Sequence, residues 1–167
     1  MIIREHYIKQ VRDFYKSDLI KIITGIRRCG KSVILEQIMN EIRQKTDNII
    51  FLNFEDKLTT ENIKNYKELI KYIQTNREKS KVYIFLDEIQ NVKNFERMIN
   101  AFREEDDYSI FITGSNSYLL SGELMTHLTG RYLEFEVFTL NFEEYLKMKE
   151  FYKMSIDQNP SIELDKY

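Results

Sequence analysis

The stretch Gly25-Ile26-Arg27-Arg28-Cys29-Gly30-Lys31-Ser32 constrains this chain more than any other feature. A glycine, four variable positions, a second glycine, a lysine and a hydroxyl form a phosphate loop only between a buried strand and the first turn of a helix. Both neighbours are there. Leu19 to Thr24 is a short run rich in β-branched residues and reads as a buried strand. From Ser32 to Lys45, Val33, Ile34, Ile38 and Ile42 recur at helical spacing. In that context the glycines let backbone N–H groups converge on phosphate oxygens, and the helix start adds its positive dipole end. Lys31 would reach the β- and γ-phosphates, and Ser32 would place its hydroxyl on Mg²⁺. The expected binding stretch is Gly25, Ile26, Arg27, Arg28, Cys29, Gly30, Lys31, Ser32 and Val33. Arg27 and Arg28 stand at variable positions, where a solvated pair and a functional pair are equally good readings, and Cys29 reads as a small residue that fits.

The rest of the chain repeats the strand and helix alternation. Ile49 to Phe54, Val82 to Leu86, Ser109 to Thr113 and Tyr132 to Val137 read as four more strands. Helices are expected over Thr60 to Asn76, Asn94 to Glu104 and Ser117 to Leu128. Near-continuous apolar strands joined by helical crossovers imply an α/β fold whose sheet is mostly parallel and covered on both faces. At 167 residues, 43% hydrophobic and 31% charged, the chain suits one globular domain. One cysteine cannot close an intramolecular disulfide, the first residues are charged too early for a signal peptide, and no apolar run approaches the roughly 18 residues of a membrane span. These features predict a cytoplasmic protein with no membrane partner. The net charge of −2 excludes a strong overall bias toward nucleic acid, and Lys147-Met148-Lys149 reads as a solvated helix face.

Hydrolysis needs more than a phosphate loop. The third strand ends on Asp87-Glu88, which delivers two acids to the sheet edge that carries the loop. Asp87 would hold the Mg²⁺ shell and Glu88 would orient the attacking water. After the fourth strand, Asn116 is a candidate to lie beside the γ-phosphate, although Asn116 or Ser117 could equally cap the next helix. Asn53, ending the second strand, could pair with Glu88. Arg131 follows Gly130, where a cation near a helix C-terminus is favourable in its own right. The alternative is an arginine finger offered to nucleotide on a neighbouring subunit.

Together with Gly25 to Ser32, the segments Ile84-Phe85-Leu86-Asp87-Glu88-Ile89-Gln90, Ile112-Thr113-Gly114-Ser115-Asn116-Ser117, Leu128-Thr129-Gly130-Arg131-Tyr132 and Thr139 to Leu146 resemble an AAA+-type ATPase core. More narrowly, the chain resembles a prokaryotic group in which that core precedes a C-terminal domain of unknown function. The resemblance implies a P-loop NTPase three-layer sandwich with strand order 5-1-4-3-2, and ATP and Mg²⁺ as cofactors. It implies Lys31 and Ser32 on phosphate and metal, Asp87 on metal, Glu88 as catalytic acid, Asn116 as γ-phosphate sensor and Arg131 as a finger acting across a homo-oligomer. The expected organisation is a core over residues 1–146 and a helix end with a polar tail over 147–167, without the helical lid and C-terminal domain of the group. An ATPase driving a conformational change, an ATP-dependent switch with little turnover, and another P-loop enzyme remain as functional classes. Against a GTPase, no Asn-Lys-x-Asp segment follows the fourth strand, and Asp87-Glu88 suits activating water better than a kinase's second substrate.

Overall fold

The computed structural model describes residues 2–103, 105, 107–114, 128 and 130–167. All five expected strands form: β1 Ile20–Thr24, β2 Ile49–Asn53, β3 Val82–Asp87, β4 Tyr108–Thr113 and β5 Tyr132–Glu136. They pair in parallel in the order β2-β3-β4-β1-β5, which is the expected order read from the other edge. Every residue of β1, β3 and β4 is buried. That burial explains their largely apolar character, since a central parallel strand has no solvent face; Lys21, Thr24, Asp87, Ser109 and Thr113 are the buried polar exceptions.

Side-chain alternation along the strands sorts the core into two layers. Ile20, Ile22, Ile84, Leu86, Ile110 and Ile112 point to one face and pack with α4 (Tyr66–Asn76) and α5 (Phe95–Arg103). Ile23, Tyr83, Phe85 and Phe111 point to the other and pack with α1 (Glu5–Arg12) and α2 (Lys31–Arg43). Phe85 and Phe111 stack across neighbouring strands with ring centroids 4.6 Å apart. The result is an α/β sandwich of three layers, as expected.

Helix boundaries depart from the sequence reading in three places. The helix expected over Thr60 to Asn76 is two helices, α3 (Lys57–Asn62) and α4, because the Asn65 side chain accepts from Lys67 and Glu68 N–H and starts α4 afresh. The helix α1 was not expected. The tail expected to be polar around Pro160 carries α7 (Pro160–Asp165), which follows α6 (Phe142–Phe151). Glu163 of α7 is buried against Lys149 of α6 in an ion pair, so α7 folds back on α6, and Lys149 is covered rather than solvated as expected. The helix expected over Ser117 to Leu128 falls almost wholly outside the described residues. No helix among the described residues is long and apolar enough to cross a membrane.

Candidate functional site

The loops that follow β1, β3 and β4 leave the same edge of the sheet, because the three strands are central and parallel. After β1, Gly25 adopts φ 143°, and a Cβ there would stand 2.2 Å from the Val137 carbonyl oxygen and 2.6 Å from Cys29 Sγ. Only glycine fits. Arg28 and Gly30 also lie in the left-handed region, at φ 68° and 97°, and wind the loop tightly before α2. Gly30 is the capping position of α2 and offers no side chain to the first-turn N–H groups. Cys29 is buried in the α1 and α2 layer, which agrees with its reading as a small residue that fits.

Lys31 is almost fully buried and donates from Nζ to the Gly25 and Ile26 carbonyls at 3.2 and 3.1 Å. Its ammonium is held inside the loop. A cavity of about 300 Å³ is lined by Arg27, Arg28, Gly30, Lys31, Ser32, Val33, Glu55 and Glu88. The loop and the catalytic candidate therefore share one space. Glu55 joins them without having been expected.

The acids after β3 are tied to β4. The Thr113 hydroxyl donates to Asp87 Oδ1, and Thr113 Oγ1 in turn accepts the Glu88 N–H at 3.0 Å. Asp87 is buried, and Glu88 sits at φ 53°, a left-handed conformation uncommon outside glycine. Thr113, the last residue of β4 and three positions before Asn116, is thus a site residue that the sequence motifs do not single out. Asn116 itself lies outside the described residues. Asn53 does not hold Glu88: its Oδ1 accepts the Glu55 N–H at 2.8 Å and closes a turn, whereas Gln90 Nε2 donates to Glu88 Oε2 at 2.5 Å.

Arg131 stands at the far end of the sheet. Tyr132 pairs with Ile20 and Glu136 with Thr24, so the whole length of β1 separates Arg131 from the loop. At ~3.3 Å per residue that is on the order of 13–16 Å. Its exposed side chain is not part of the lining of the cavity beside the loop.

A second cavity of about 840 Å³ shares Arg28, Gly30 and Val33 with the first and opens between the N-terminal segment and α6. Leu140, Tyr145, Met148, Phe151 and Tyr152 give it an apolar, aromatic wall. Arg4 fixes its other side. Its guanidinium donates to Glu144 Oε1 and Oε2 at 2.9 and 3.0 Å, to the Cys29 carbonyl at 2.9 Å, and to the Phe138 and Thr139 carbonyls at 3.0 and 3.2 Å. Burial opposes the charge on Glu144, but the bonds from Arg4 and from the Asn141 N–H outweigh it and hold the carboxyl below its ordinary range.

The AAA domain family profile matches residues 17–146. An uncharacterized protein of Haemophilus influenzae is 42% identical over 154 residues, covering 89% of this chain and 38% of that protein. An uncharacterized protein of Methanocaldococcus jannaschii is 41% identical over 133 residues, covering 79% of this chain and 29% of that protein. The chain thus spans well under half the length of these relatives. Among solved structures, AMPPCP-bound DnaA from Aquifex aeolicus superposes with a TM-score of 0.58 at 14% identity, over 97% of this chain and 56% of that one. At that identity the likeness is one of fold.

Proposed function

The chain belongs to the AAA domain family, and from that premise we propose that it binds Mg²⁺-ATP and hydrolyses it, using the energy to change conformation. The observation that carries this reading is the single cavity shared by Arg28, Gly30, Lys31, Ser32 and Glu88. The triphosphate lies along the loop, where Lys31 exchanges the Gly25 and Ile26 carbonyls for phosphate oxygens. The base takes the adjoining aromatic cavity, which can bury a flat apolar ring beside Tyr145 and Val33. Binding of AMPPCP by a DnaA of the same fold supports ATP as the ligand.

The donor set fits Mg²⁺, a hard cation that takes one or two carboxylates along with phosphate oxygens and waters. Ser32 offers an exposed hydroxyl in the first turn of α2, and Asp87 offers a carboxylate that Thr113 orients. When bound, the ion would neutralise charge on the β- and γ-phosphates. Glu88 accepts the proton of the attacking water or aims its lone pair, and phosphoryl transfer asks for little more than such placement. Arg131 acts, on this reading, only on the nucleotide of a neighbouring copy.

The test is Mg²⁺-dependent ATP hydrolysis by the 167-residue chain, with ATP binding followed on the same sample. Lys31→Ala is expected to abolish both. Glu88→Gln is expected to bind ATP normally and to lose roughly 10²- to 10⁴-fold in turnover, the usual contribution of a positioned base. A normal rate in Glu88→Gln would remove Glu88 from its role, and binding without turnover in the wild type would make the chain a nucleotide-dependent switch.

A further inference from the structure

We propose that Gln90 is the positioning residue that fixes the Glu88 carboxylate and selects which of its oxygens faces water. The proposal rests on the hydrolytic reading of Glu88. Gln90 sits in the one-turn 3₁₀ segment Ile89–Asn91 that follows Glu88, and the turn is anchored on both sides of it. Ile89 and Val92 are buried in the sheet layer of α4 and α5, and Asn91 Nδ2 donates to the Phe54 carbonyl at 3.0 Å.

The orientation of the Gln90 amide is dictated by Glu88. An ionised carboxylate only accepts, so the NH₂ end must face Glu88 Oε2, which it meets at 2.5 Å. The carbonyl end, Oε1, is thereby turned the other way, and it is buried with no hydrogen-bond partner among the described residues. Buried polar atoms are almost always satisfied, and an exception calls for an explanation other than stability. Holding Glu88 supplies one. Flipping the amide would set two acceptors against each other, so the orphaned carbonyl persists as long as the carboxylate is charged.

Glu88 is consequently held at both ends. Its N–H is bound by Thr113, its backbone is in a left-handed conformation, and its Oε2 is bound by Gln90. Glu88 Oε1 takes no hydrogen bond among the described residues, and Glu88 lines the cavity of Lys31 and Ser32. Oε1 is the oxygen left to accept from the attacking water. A carboxylate fixed in this way loses less orientational freedom when the reaction begins.

The experiment compares wild type, Gln90→Met, Gln90→Asn, Glu88→Gln and the Gln90→Met/Glu88→Gln double variant. Gln90→Met keeps the length of the side chain but has no donor, and Gln90→Asn keeps the amide on a stem too short to reach. Both are expected to lower kcat by about ten- to a hundredfold, a part of what a positioned base supplies, with ATP affinity unchanged. Gln90→Met is expected to melt no lower than wild type, because it removes the orphaned carbonyl. In the Glu88→Gln background it should cost nothing further, since a residue that acts through Glu88 has nothing left to act on. Independently of turnover, the Gln90 side-chain NH₂ resonances, assigned by their loss in Gln90→Met, should shift in Glu88→Gln. Wild-type kcat in Gln90→Met, losses that multiply in the double variant, or resonances indifferent to Glu88 would each overturn the proposal while leaving the ATPase reading intact. Turnover of the wild type no higher than that of Lys31→Ala would instead overturn the ATPase reading, and the proposal with it.

Discussion

Lys21 lies within β1 with no exposed surface, its ammonium 4.6 Å from the centre of the Phe111 ring. It donates to the Ser17 carbonyl at 2.9 Å and to Ser109 Oγ at 2.8 Å, and the Ser109 hydroxyl donates on to the Tyr15 carbonyl at 2.7 Å. Burial first, and then the charge of Lys81, push the amine down from 10.5 to about 7, with Asp18 opposing in part. The unfolded chain therefore holds the extra proton between these two values, and the free energy of unfolding rises with pH across that window, by at most about 1.4 kcal/mol per pH unit. Below the lower value both states are protonated and the cost of burying the charge is felt in full. Urea midpoints of wild type and Lys21→Met at pH 6.5 and 9.5 should show wild type gaining on the variant at the higher pH, and an unchanged difference would mean that Lys21 titrates normally. At this scale, what could be read from the sequence was whatever a local pattern fixes. Gly25, Lys31 and Ser32 were legible because the loop's spacing is its geometry. Thr113, Gln90 and Lys21 were not, because their partners come from other strands or from a turn whose shape the spelling does not give.

At the scale of elements, Arg4 joins parts of the fold that local pattern cannot connect. It lies 140 positions from Glu144 and ties the N-terminal segment, the phosphate loop and the first turn of α6 into one cluster. Glu144 is also the third residue of α6 and completes a capping box with Asn141, so the same carboxylate starts the helix and receives the guanidinium. Arg4→Met leaves that carboxylate buried without its guanidinium, with only the Asn141 N–H and the half-exposed His6 beside it, and is expected to cost up to about 3–5 kcal/mol, the usual penalty for breaking such a pair from one side. Arg4→Met/Glu144→Gln should recover part of the loss, because no charge is then stranded. Chemical denaturation of the three proteins checks both statements, and a single variant as stable as wild type would show that the pair is solvated. Among the elements themselves, the strands were legible, since buried parallel strands are mostly apolar, and the two interior polar residues of β1 and β4, Lys21 and Ser109, bond each other. The break between α3 and α4 was not taken from the sequence, although Asn65 before Tyr66-Lys67-Glu68 is a capping signal. The apolar stripe continues across it and masked the cap. The helix α1 and the folded tail were missed because what stabilises them, the α2 face and the buried Lys149–Glu163 pair, lies elsewhere in the chain.

The geometry of the whole molecule bears most directly on Arg131. The parallel sheet puts the starts of all five strands at one end and the phosphate loop at the other, so a residue just before β5 lies at the end opposite its own loop. If Arg131 contributes to turnover, it must do so in a neighbouring copy whose loop edge meets this chain's strand-start edge. Such a head-to-tail contact is heterologous, and it builds rings or filaments rather than closed pairs. Turnover per chain should then rise with protein concentration as copies assemble. Arg131→Ala should retain ATP binding and lose most of its turnover, and Lys31→Ala should lose both. Mixing the two inactive proteins is the sharper measurement, because each supplies what the other lacks: a Lys31→Ala chain still presents Arg131 to an Arg131→Ala chain that still binds ATP. Recovery of turnover in the equimolar mixture, absent from either protein alone, would place Arg131 in the neighbour's site. Full turnover by Arg131→Ala on its own would remove Arg131 from the reaction.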